Sequence, residues 1–111
     1  MFNREKIMTV KQFESKIRIE GLMKEVETIE NSLYLVLNER VKESREHKAE
    51  FYYRVLNSLI RRLKKEYKTM EQKMPYKDQT KLKKLQLQLF ENCSKSFQEQ
   101  EKQEENIVSI D

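Results

Sequence analysis

An all-α fold is predicted by three features of this sequence: apolar residues recurring at steps of three and four, one glycine and one proline in 111 residues, and a charged fraction of 38% against 37% hydrophobic. The recurrence is that of helices which each hide one stripe. So few Gly and Pro leave little for the tight turns of a many-stranded sheet, while Leu, Lys, Glu and Gln are good helix formers. The small apolar share suits a thin bundle or coiled coil better than a thick interior. Disorder is the rival reading for so charged a chain, but disordered tracts seldom carry such a period. The length fits one domain over 1–111.

Thr9 followed by Gln12 is a capping-box sequence, so the first helix is expected to start near Val10, with Phe13 and Ile17 beginning its buried side. Its stripe continues through Ile19, Leu22, Val26, Ile29, Leu33 and Val36, widened by Leu37 and Val41. Gly21 lies inside and weakens this helix by up to about 1 kcal/mol relative to Ala. The polar run Lys42 to Lys48 reads as a bend, with Ser44 as N-cap and Glu46 in the first turn, where the helix dipole favours it. One continuous rod is the alternative there, since neither Gly nor Pro interrupts.

A second stripe runs through Tyr53, Leu56, Ile60, Leu63, Tyr67, Met70 and Met74, with Phe51, Tyr52, Val55 and Leu59 widening its start. Pro75 should stop it, because proline lacks the helix donor and disfavours helical geometry before it. Asp78 or Thr80 then caps a third helix with the stripe Leu82, Leu85, Leu89, Cys93, Phe97. The expected helices cover about 10–43, 46–74 and 78–105, with 98–111 a partly frayed tail in which Ile107, Val108 and Ile110 either dock back or stay loose. Three such stripes predict an antiparallel three-helix bundle, or alternatively a helical hairpin that dimerises as a coiled coil.

Little here points to catalysis. His47 is the only histidine, it sits in the polar run, and no second base or nucleophile accompanies it in an apolar setting. Cys93 falls on the third stripe, as a small buried hydrophobe would, and Cys93 with His47 would supply only two metal ligands. Gly21 alone cannot build a phosphate loop. The expectation is a chain that is not an enzyme and holds no cofactor or metal. A single cysteine fits a reducing, intracellular compartment, most simply the cytoplasm, and no apolar run reaches the roughly 18 residues of a membrane span.

Charge is unevenly spread. Residues 54–84 hold eleven Lys or Arg against three acidic residues, whereas 85–111 hold two against six. Arg61, Arg62, Lys64, Lys65, Lys83 and Lys84 bracket Pro75, so a turn there would gather them into an anion-binding patch for nucleic acid, lipid headgroups or acidic protein. The plainer reading is a solvated helix surface.

The third helix also carries a likeness. Lys84-Leu85-Gln86-Leu87-Gln88-Leu89-Phe90 followed by Phe97-Gln98-Glu99-Gln100 resembles the third helix of the syntaxin N-terminal regulatory domain, in which two aromatic residues stand seven apart. Phe90 and Phe97 keep that interval, while the leucine before and the glutamine after are each displaced by about one position. The resemblance implies a three-helix bundle that folds against a SNARE helix or recruits trafficking factors through a groove between two helices.

The residues themselves point to a non-catalytic helical interaction module, adaptor or complex subunit that binds a partner helix or a second copy. Phe51, Tyr52, Val55 and Leu59 are the expected contact, because they surround more than half of their helix. Chaperoning of a helical client would use the same surface. Binding of nucleic acid or another anionic surface through the basic set is the alternative.

Overall fold

The computed structural model describes residues 8–104, and within them the regular structure is four helices: α1 (Val10–Leu37), α2 (Lys42–Met70), α3 (Tyr76–Glu91) and α4 (Lys95–Gln103). The expected third helix is therefore two. The last residues of the expected tail, with Ile107, Val108 and Ile110, lie outside the described part.

α1 begins as its sequence predicts. The Thr9 hydroxyl accepts the Gln12 amide at 3.0 Å and the Thr9 amide donates to the Gln12 side chain at 3.2 Å, satisfying two donors the first turn leaves open. It ends at Leu37, short of the expected 43. Asn38 closes it by donating from Nδ2 to the Tyr34 carbonyl at 2.8 Å. The turn beyond is organised by one carboxylate: Glu39 accepts from the Val41 amide, the Ser44 hydroxyl and, at 2.7 Å, the Lys48 ammonium. The bend thus precedes the polar run, and Ser44 stands inside α2 as a donor to Glu39 instead of serving as its N-cap.

α2 stops at Met70, four residues before the expected end. Glu71 takes the left-handed conformation, φ 57°, and the Glu71 and Gln72 amides donate back to the Lys68 and Tyr67 carbonyls. This is the paired closure that ends many helices, usually with glycine. Pro75 does not halt α2. It opens α3, where its carbonyl accepts the Asp78 and Gln79 amides, so Asp78 and Thr80 lie within the first turns and cap nothing.

The break between α3 and α4 follows from the stripe itself. Steps of four advance about 40° each around a helix, so Leu85 to Phe97 would drift about 120°. Asn92 and Ser94 interrupt the helix and re-aim the chain: Asn92 Nδ2 donates to the Gln88 carbonyl, and the Ser94 hydroxyl caps α4 by accepting the Phe97 amide. Gln98 spans the gap, donating to the Phe90 and Cys93 carbonyls at 3.0 and 3.1 Å. All five expected stripe residues are buried despite the break.

α2 is the central element, in contact with α1 on one side and α3 on the other, while α1 and α3 touch lightly. It is antiparallel to both. Arg18 near the start of α1 meets Glu66 near the end of α2 at 2.9 Å, and Glu50 near the start of α2 accepts the Ser94 amide beyond the end of α3. One core runs through the helices, with Val26, Leu56, Leu63, Leu82 and Leu89 fully enclosed. Asn57 is a polar residue within it, accepting from Gln86 at 2.7 Å and so fixing the register of α3 on α2. No helix among the described residues is long and apolar enough to cross a membrane.

Candidate partner-binding surfaces

The four residues expected to meet a partner do not form one open face. Leu59 is 2% exposed and belongs to the core, and Tyr52 and Val55 are half-buried against it. Phe51 alone stands out into solvent, its ring edge-on to Tyr52 at 5.3 Å. α1 lies along the side of α2 that these residues widen, so the surplus apolar surface was already spoken for within the chain.

The open apolar surface is on α1 instead. Phe13 and Ile17, expected to begin the buried side, are 54% and 52% exposed. At about 100° per residue they fall with Val10 and Leu35 opposite the stripe Ile19 to Val36. Val10 and Leu35 are exposed too, as are Tyr34, Leu37 and Val41 near the α1–α2 turn. The signal was available in the sequence as angular position: Val10, Phe13 and Ile17 match the three-four period but not the phase of the stripe that follows. Gly21 sits beside this face, and a methyl group added there would meet nothing within 4 Å.

The basic set is likewise divided. Arg62 and Lys65 line a furrow between α1 and α2 together with Arg18, Glu25 and Glu66. The Arg18 guanidinium holds the Glu66 carboxyl below its ordinary range, chiefly through their hydrogen bond, so this furrow carries both signs. Lys64 lines a hollow of about 560 Å³ at the α2–α3 turn, with Tyr67, Lys68, Gln72, Lys73, Met74 and Gln79. Lys83 and Lys84 project from α3, Lys84 also bordering a hollow where Lys81 pairs with Glu30 at 3.4 Å. Arg61 is exposed on α2. The turn does not collect these six residues into one patch.

Cys93 is buried and free, donates to the Leu89 carbonyl at 3.3 Å, and has its pKa pushed up to about 12, mainly by burial and then by Glu50 and Glu101. His47 is exposed on the first turns of α2. Burial also raises the pKa of Tyr53 and of Tyr67. Tyr53 receives Phe90 from α3 and Phe97 from α4, at 5.4 and 5.8 Å, and the Arg54 guanidinium lies over the Phe97 ring. The two phenylalanines seven apart therefore reach one tyrosine from two helices.

Comparison with known proteins found no matching family model, no matching curated protein and no matching solved structure.

Proposed function

We propose that the chain is a non-catalytic helical interaction module, an adaptor or complex subunit, which buries the outer face of α1 against a partner helix. The observation that carries this is the two-sidedness of α1. One stripe is enclosed by the chain's own core while Val10, Phe13 and Ile17, one to two turns apart on the other side, are left in water. A helix that is apolar on opposite faces is ordinarily buried on both. Covering a fully exposed side chain of this size is worth about 1.5–3 kcal/mol, and since Phe13 and Ile17 expose only about half of theirs, the three contribute to helix association as one part of a larger contact. In this reading α1, α2 and α3 act as a three-helix bundle with α4 riding on it, and the partner is either another protein's helix or a second copy of this chain. The lone thiol, buried and protonated, supports a reducing intracellular setting.

The test is site-specific photo-crosslinking from position 13 or 17 in cells that make the protein, with exposed Glu99 on α4, away from the outer face of α1, as control. Discrete adducts from 13 and 17, lost in a folded Phe13→Glu/Ile17→Glu variant, are expected. A pattern no different from that at Glu99 would overturn the reading. The mass of the adduct separates a second copy from a different chain.

A further inference from the structure

Along the outward side of α3, three hollows adjoin, each sharing at least one lining residue with the next. Gln79 borders both the hollow at the α2–α3 turn and the next one along, and Lys83 and Leu87 border that one and the last, which reaches α4. Gln79, Lys83 and Leu87 are spaced at four residues, one line on a helix surface. The hollows therefore follow one line along α3, a shallow furrow whose middle stretch is lined by α3 alone. Between Tyr76 and Phe90 it is about 21 Å long at the helical rise, which accommodates roughly four turns of another helix.

Its composition is one-sided. The rim carries Lys64, Lys68, Lys73, Lys83, Lys84 and Lys102 against one carboxylate, Glu101. Among the lysines stand Met74 and Tyr67 at one end, Phe90 and Tyr53 at the other, and between them Tyr76 and Leu87, which are 82% and 56% exposed, with Gln72, Gln79, Thr80 and Gln86 as the neutral polar lining. A shallow furrow with apolar and aromatic residues among lysines complements a helix with an apolar stripe flanked by carboxylates.

We propose that this furrow is the docking site for an acidic amphipathic helix of a partner protein. Its stripe covers Tyr76, Leu87 and the Phe90 edge, while its carboxylates face the lysines of α2 and α3. The proposal rests on the reading of the chain as an interaction module, but it uses a surface to which α1 contributes no lining residue. Exposed Tyr76 and Leu87 standing among lysines favour an amphipathic acidic helix over a purely ionic partner. The same unevenness is visible along the chain as the basic excess of residues 54–84.

The experiment measures binding of the full chain by fluorescence anisotropy to four labelled probes. These are an 18-residue Leu/Glu amphipathic helix, the same composition shuffled to destroy the three-four spacing, a Leu/Lys counterpart, and a 20-base-pair DNA duplex. The Leu/Glu helix is expected to bind at least tenfold more tightly than each of the others. Lys68→Glu/Lys73→Glu and, separately, Leu87→Glu should each weaken it about tenfold or more, with helicity retained by circular dichroism. The Phe13→Glu/Ile17→Glu variant should leave this affinity unchanged, so failure of the α1 reading and failure of the furrow show up in different proteins. Equal binding of the shuffled peptide, tighter binding of the duplex, or indifference to the Lys68, Lys73 and Leu87 changes would each overturn the proposal.

Discussion

α1 and α2 are almost equal in length, 28 and 29 residues, yet they meet solvent in opposite ways. α2 lies between two neighbours, keeps its apolar residues toward them with the exception of Phe51, and turns charge outward. α1 has one close neighbour and is apolar on two sides, so half of its apolar surface has no use inside the chain. The contrast teaches that apolar content alone does not say where a helix is buried. What matters is whether apolar residues share a phase, and how many neighbours the fold supplies to cover them.

The largest effect that would break or sharpen this contrast comes from the core. Leu63→Ala in α2, where the side chain is fully enclosed, should cost about 2–5 kcal/mol by denaturant titration, while Phe13→Ala in α1 should cost less than about 0.5 kcal/mol. Comparable losses would mean that the outer face of α1 is not open in solution. A smaller effect of opposite sign is expected at Gly21, since a methyl group there meets nothing. Gly21→Ala should stabilise the chain by about 0.5–1 kcal/mol through helix propensity, a rise of a few degrees in Tm. A fall in Tm would place a neighbour against that side of α1.

The smallest effect concerns the turn that joins the two helices. The Lys48 ammonium, helped by the Val41 amide, holds the Glu39 carboxyl down to about 2, well below the value of about 4.3 for an unfolded chain. A depressed folded value contributes stability that is present above the unfolded pKa and lost as pH falls through the folded one. Wild type should therefore exceed Glu39→Gln modestly at pH 7, modestly because the pair is open to solvent, and the two should converge between about pH 4.5 and 2. A constant gap across that range in a pH series of thermal melts would show that Glu39 acts through shape and not through charge.

The helix boundaries separate what could be read from what could not. The start of α1 was legible because the Thr9–Gln12 pair acts within one turn. Its end was not, because Leu37 and Val41 keep the spacing of the stripe, and the stop is made by Asn38 and by Glu39 reaching Lys48 nine positions ahead. At the α2–α3 turn, Pro75 marked the junction, but the helix end itself depends on Glu71 adopting a left-handed conformation that residue type does not announce. The expectation of one helix across Leu85 to Phe97 missed the break between α3 and α4, because the spacing fits one helix, although its drift and the capping residues Asn92 and Ser94 lie at the break.

By itself, the sequence determined the helical class, the central stripes that became the core, and the excess of positive charge in residues 54–84, because all three are properties of spacing and count along one chain. Tertiary structure alone decided which surplus apolar residues stay exposed and which lysines stand together. Leu59 disappeared beneath α1 while Phe13 did not disappear beneath anything, and Lys64, Lys83 and Lys84 came to border one furrow while Arg62 and Lys65 went to another. The reason is geometric: a helix fixes the angle of each side chain about its own axis, but only the packing of one axis against the next fixes which angles face water.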